Sequence, residues 1–168
     1  MATHHILLTI TADKRRGLWA SSVWVNNGKS LRTGGSLPTT ASAHTLLLLA
    51  LTNTLRSVSR NQYQSIQRTL PEGITKPRVK VIVAGDNTFA PALAELIKGD
   101  RTAKLKAGRN FLSIAAQQVA RFSIDLENSD DPRDLALKVW VTKSLYPAQD
   151  FEILPAALIP SVVSAVSY

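Results

Sequence analysis

Five positive charges fall within twelve residues in the segment running from Lys98 to Arg109, carried by Lys98, Arg101, Lys104, Lys106 and Arg109. Basic groups this dense on a connector between two helices suit contacts to phosphate oxygens, which position a polyanion without reading its sequence. A solvated surface loop has the same composition, so both readings stand. A second cluster, Lys14, Arg15 and Arg16, falls in a turn between two strands, and Arg56, Arg60 and Arg68 extend from a helix into the connection that follows. Trp19, Trp24, Phe89, Phe111 and Trp140 have faces on which bases could stack, but aromatics are only 6% of the chain. They do not alternate with basic residues, so most are expected in the core and stacking is not the expected main mode of binding. Trp19 and Trp24 are an odd number of residues apart in one strand and therefore point to opposite faces. The absence of cysteine removes thiol nucleophiles, thiolate zinc sites, iron–sulfur clusters and redox pairs, and makes a reducing compartment the default.

The elements that carry these groups belong to one ordinary domain. A chain of 168 residues, 45% apolar and 19% charged, has the profile of a single globular unit. At this length about 70% of the unfolded surface is buried on folding, enough for a core without disulfides or a structural metal. The net charge of +8 is unevenly spread: residues 1–124 hold 17 basic and 5 acidic residues, net +12, whereas residues 125–168 hold 3 and 7, net −4. The N-terminal three quarters is thus the part suited to a polyanion, whose binding would fall with salt. The stretch Ile6 to Ile10 is too short for a secretory signal and lacks a basic lead-in, so an intracellular, cytoplasmic location is expected. Between Ile153 and Val166 an apolar run of 14 residues is interrupted by Pro155 and Pro160. A membrane-spanning helix needs about 20, so no membrane anchor is expected.

Residues 5–12 and Leu18 to Val25 read as strands, the second ending in Asn27-Gly28, a strong hairpin signal that returns the chain as a third antiparallel strand over Lys29 to Thr33. Gly34, Gly35 and Pro38 are expected to break the chain. Thr39 or Thr40 then caps a helix of about 19 residues with Leu48, Leu51, Leu55 and Val58 on its buried face. After a long polar connection comes a central strand, Val79 to Ala84, apolar on both faces. Pro91 marks the start of a helix running to about Lys98. A further helix spans about Ala107 to Val119, a fifth strand Phe122 to Leu126, and a last helix runs to about Leu145, capped by Ser129, Asp130 or Asp131. The tail is proline-broken and apolar, and either folds back on this chain, the favoured reading, or docks into a partner or a second copy.

This β-β-β-α-β-α-α-β-α order, with a hairpin meander first and a carboxylate at the exit of the fourth strand, resembles the ribonuclease H-like superfamily over about residues 5–145. The resemblance implies an α/β fold with a five-stranded mixed sheet, an antiparallel meander of strands 1–3 followed by parallel additions, with helices on both faces. The domain would cover residues 1–146, and residues 147–168 would be a separate tail. In that superfamily four carboxylates hold two Mg²⁺ or Mn²⁺ ions for phosphodiester cleavage, because hard divalent cations take oxygen ligands and need negative charge beside a polyanionic substrate.

Carried over residue by residue, the resemblance places the first carboxylate on Asp13, with Ala12 the match if the loop shifts by one. The carboxylate after the central strand falls on Asp86, and that of the last helix on Asp134. The same positions have structural readings: Asp13 as a turn residue, Asp86 as a helix cap, Asp134 as a first-turn carboxylate favoured by the helix dipole. The helix Glu of the family falls on Thr45, a poor Mg²⁺ ligand, with His44 beside it. The loop from Glu127 to Asp131 holds neither the histidine nor the glycine common in active members. Lys98 to Arg109 resembles in position the basic protrusion with which some ribonucleases H grip a hybrid duplex.

These residues lead to three expectations. The first is a nucleic-acid-binding protein with little or no nuclease activity, its carboxylates Asp13, Asp86 and Asp134 a vestigial metal site. The second is a divergent Mg²⁺- or Mn²⁺-dependent nuclease that still uses them. The third is an assembly subunit that keeps the fold as a scaffold and makes contact through its tail. RNA, DNA and hybrid are not distinguished by phosphate contacts alone.

Overall fold

The computed structural model describes residues 5–25, 30–38, 41–61, 63–99, 107, 109–145 and 163–167. Strands β1 (Ile6–Asp13), β2 (Leu18–Val25) and β3 (Ser30–Ser36) are followed by helices α1 (Ala43–Asn61) and α2 (Tyr63–Arg68). Then come β4 (Arg78–Ala84), α3 (Phe89–Ile97), α4 (Arg109–Val119), β5 (Ser123–Ser129), α5 (Pro132–Leu145) and β6 (Val163–Ser167). The strands form one mixed sheet in the order β5-β4-β1-β2-β3-β6. β1, β2 and β3 make the antiparallel meander, and β4 and β5 add in parallel on the other side of β1, as expected. A sixth strand, which the sequence did not disclose, brings residues 163–167 of the tail back against β3, antiparallel, with Gly34 opposite Val163.

The alternation of β1 sets the two layers. Ile6, Leu8 and Ile10 are fully buried on the face that meets α1, with Val79, Val81 and Val83 of β4 beside them. α1 lies between the sheet and α4, so it is buried on more than one side. Leu46, Leu47, Leu48, Leu51 and Leu55 all have no exposure, a wider band than the stripe expected from spacing. Each such leucine contributes about 1.5–3 kcal/mol relative to an exposed one. On the other face α5 packs Leu137 and Val141 against Leu18 and Ala20 of β2.

Three local expectations are corrected. Gly34 and Gly35 do not break the chain but lie inside β3, paired with Ala20 and Trp19. A Cβ on Gly35 would sit 2.7 Å from Trp19 Nε1, and one on Gly34 would collide with Val141. These glycines are there for lack of a side chain, not for turn geometry. The cap of α1 is Ser42, whose Oγ accepts the Thr45 N–H at 3.1 Å; Thr39 and Thr40 lie outside the described residues, as does the Asn27-Gly28 turn. The fifth strand runs three residues past Leu126, to Ser129, because β4 pairs with it along its whole length.

Candidate functional site

β1 and β4 run side by side as far as the pair Thr11 and Ala84, and the chain leaves β4 through Gly85 and Asp86. The first turns of α1, α3 and α5 carry the other residues singled out from sequence. Gly85 has φ +82°, the left-handed region that favours glycine, and this turns the chain from β4 into the loop before α3.

Asp86 spends its carboxylate locally. Its Oδ1 accepts the Thr88 N–H at 2.8 Å, the Thr88 hydroxyl at 2.8 Å and the Phe89 N–H at 3.0 Å. It therefore caps α3, whose N-terminal residue Thr88 makes no side-chain cap of its own. Burial pushes this carboxyl upward, but the hydrogen bonds from Thr88 and Phe89, together with the nearby charge of His44, outweigh it and hold the group below its ordinary value of 3.8. His44, buried in the first turn of α1, is joined to the same network through Nε2 and Thr88 Oγ1, 2.9 Å apart.

The lowered carboxyl has a stability consequence whose sign is fixed. Because the folded-state pKa lies below the unfolded one, the contribution is present above pH 3.8 and is lost as pH falls through the folded value. Asp86→Ala is expected to cost about 1 kcal/mol at neutral pH through the lost cap. Asp86→Asn keeps an oxygen acceptor and should cost less. Thermal melts from pH 7 down to pH 2.5 check this: the gap between wild type and Asp86→Asn should narrow on acidification below about pH 4. A gap that is constant across that range would contradict the assignment.

The other carboxylates are likewise engaged by their neighbours. Asp13 closes β1 two residues beyond the last β1–β4 pair, where Oδ2 pairs with Arg16 Nη1 at 2.9 Å across the hairpin turn. Asp134 sits in the first turn of α5 and accepts the Ser129 hydroxyl at 2.5 Å. Asp131 caps the same helix through the Arg133 N–H, and hydrogen bonds from the Arg133 side chain and backbone hold its carboxyl down at about 2. Thr45 is buried, and its hydroxyl meets Ser42 Oγ at 2.9 Å. Among the described residues no three His, Cys, Asp or Glu side chains form a group able to hold a metal ion, and Asp13, Asp86 and Asp134 do not form one in this arrangement.

Two residues at this end of the sheet were not singled out from sequence. Thr11 is fully buried on the same side of β1 as Asp13, and its hydroxyl donates to the Ala84 carbonyl at 2.9 Å. Lys138 reaches back from α5 so that its Nζ would lie 3.7 Å from a Cβ on Gly85, with Thr11 Oγ1 at 3.9 Å. The signal for Lys138 was its position four residues after Asp134, one helical turn on. A neutral hydroxyl at Thr11 or Thr45 and the Lys138 ammonium are poor donors for Mg²⁺, which takes anionic oxygen.

The basic residues are placed as follows. Lys14, Arg15 and Arg16 are exposed in the β1–β2 turn, and Lys98 is exposed at the end of α3. Arg101, Lys104 and Lys106 lie outside the described residues, as does the side chain of Arg109, whose backbone opens α4. Of the aromatics, Trp19 and Phe89 are buried, while Trp24 lies on the opposite face of β2, as its spacing from Trp19 requires, and Trp140 is half-buried beneath the Arg32 guanidinium. No helix of the described residues is long and apolar enough to cross a membrane.

No protein-family model matches the chain, and no curated protein matches it. Solved structures do. The chain is similar to RNase H1 from the halophilic archaeon Halobacterium salinarum NRC-1, with a TM-score of 0.53 at 12% identity, over 86% of this chain and 98% of that one. It is also similar to the N-terminal RNase H domain of a Mycobacterium tuberculosis protein solved as a fusion with maltose-binding protein, with a TM-score of 0.51 at 12% identity, over 83% of this chain and 93% of that one. At that identity the likeness shows the fold.

Proposed function

We propose that this chain, whose fold is ribonuclease H-like, is a nucleic-acid-binding protein with little or no nuclease activity. The observation that carries the reading is the donor set at the end of β1 and β4. The helix position that needs a bridging carboxylate holds Thr45, hydrogen-bonded to Ser42, and the Lys138 ammonium approaches Gly85 at the exit of β4. A fixed positive charge there repels the cations that cleavage would require. Binding is supported by the net +12 of residues 1–124 and by the exposed Lys14, Arg15, Arg16 and Lys98. With Arg101, Lys104, Lys106 and Arg109, these make the phosphate-contacting set, which holds RNA, DNA or a hybrid through its backbone.

The test has two arms. In the first, an RNA–DNA hybrid is incubated with the full chain in Mg²⁺ and in Mn²⁺, alongside Asp86→Asn. No cleavage is expected above the buffer control even at high protein concentration. Cleavage that disappears in Asp86→Asn would overturn the inactive reading in favour of a divergent nuclease using Asp13, Asp86 and Asp134. In the second arm, binding of a labelled hybrid is titrated at rising salt. Changing Lys104, Lys106 and Arg109 together to Ala is expected to weaken binding at least tenfold and to flatten its salt dependence by about 2 to 3 in slope. Undetectable binding in moderate salt, or unchanged binding by the triple variant, would sink this interface.

A further inference from the structure

We infer that the cleft between the C-terminal halves of α1 and α4 is a second phosphate-binding site, made by Arg56, Arg60 and Arg121, and that it takes the backbone of a nucleic acid strand. The inference deepens the nucleic-acid reading and rests on it, but it concerns another part of the surface. With a rise of 1.5 Å per residue, Arg56 and Arg60 lie about 16 and 22 Å along α1 from Thr45.

The three arginines come from separate stretches of sequence. Arg56 and Arg60 are four residues apart and share one face of α1, while Arg121 follows the end of α4. Together with Ser59, Gln117 and Gln118 they line a cleft of about 290 Å³. Among the described residues no carboxylate lines it. Several other cations are neutralised by a carboxylate: Arg16 by Asp13, Arg78 by Asp125, Lys80 by Glu127 and Arg133 by Asp131. Among the described residues Arg56, Arg60 and Arg121 make no ion pair, and all three are exposed. Like charges one helical turn apart disfavour the helix, so this pair works against the fold unless an anion lies between them.

The third arginine is held in place. Tyr63 of α2 donates its hydroxyl hydrogen bond to the Arg121 carbonyl at 3.2 Å, and the Arg121 guanidinium lies over the Tyr63 ring, 5.8 Å from its centre. Stacking uses the face of the guanidinium and leaves its in-plane N–H donors for a phosphate. The amides of Gln117 and Gln118 and the Ser59 hydroxyl add neutral hydrogen-bonding groups, suited to phosphate and sugar oxygens. Arg56 and Arg60 also border a second groove, of about 350 Å³, on the side toward β2 and β3, which extends the polar surface beyond the size of a single phosphate.

Pyrophosphate carries the same chemistry as a nucleic acid backbone, and the experiment separates the two. A labelled 20-nucleotide RNA strand is titrated against the full chain, against R56Q/R60Q/R121Q and against R56K/R60K/R121K across a salt series, with pyrophosphate binding measured on the same proteins. The Gln variant is expected to lose about 2 in the slope of log affinity against log salt, as three fewer phosphate contacts on a single strand require, while the Lys variant keeps the slope. A Gln variant that matches a binding wild type in affinity and slope overturns the second site and leaves the proposed function standing. A wild type that binds no RNA, DNA or hybrid overturns both. Pyrophosphate binding lost in the Gln variant, with RNA binding unchanged, assigns the cleft to a small phosphate ligand and overturns the strand assignment.

Discussion

Gly35→Ala is expected to destabilise the protein by on the order of 3 kcal/mol, although it adds a single methyl group. That methyl would lie 2.7–2.8 Å from Nε1, Cε2 and Cζ2 of Trp19, the residue opposite on β2. Trp19 is 2% exposed and packed in the main core, so its ring has little room to give. Close-packed interiors convert such an overlap into shifts of the surrounding side chains and backbone. For a chain of this size the expected fall in Tm is on the order of 10 °C. The cause is checked by a double-mutant cycle with Trp19→Leu, which removes the ring from beneath the new methyl. The pair should cost less than the two single changes together, since residues in contact are not additive. Strict additivity would mean that the cost of Gly35→Ala comes from β3 itself and not from the indole.

Phe89→Ala should have the larger effect, about 3–5 kcal/mol, because a fully buried aromatic is removed and a cavity is left. Phe89 joins two parts of the molecule. Its N–H is held by the Asp86 carboxylate, and its ring meets that of His44 edge-on, with centres 5.7 Å apart. The start of α3 is therefore tied to the start of α1 through the core as well as through the His44, Thr88 and Asp86 hydrogen bonds. Chemical denaturation of Phe89→Ala and Asp86→Ala side by side measures the two ties. The expected order is a loss for Phe89→Ala about three times that for Asp86→Ala. Equal losses would mean that the cap, and not the aromatic core, anchors this end of the sheet.

Much of the fold was legible because it follows from local pattern. The leucine spacing of α1, the β-branched run of β4 and the prolines in the first turns of α3 and α5 each specify an element through interactions within a few residues. The parallel addition of β4 and β5 to an antiparallel meander was implied by the family resemblance and is present in the sheet. The candidate site was legible in part. Thr45 could be placed at the first turn of α1, and Asp86 and Asp134 at the ends that the structure gives them.

What the amino-acid sequence determined by itself was the identity and order of β1 to β5, α1 and α3 to α5, the uneven charge and the residue types at the helix starts. These depend on side-chain periodicity, capping chemistry and composition, all of which act locally. Tertiary structure alone decided what each group touches. Gly34 and Gly35 look like breakers along the chain and are strand residues because Val141 and Trp19 occupy the space above them. Residues 163–167, from a proline-broken tail, become a strand because β3 offers an unpaired edge. Arg121 joins Arg56 and Arg60, and Lys138 approaches Gly85, because helices far apart in sequence pack on the same sheet. Such contacts are set by packing between distant segments, and no window of a single sequence contains both partners.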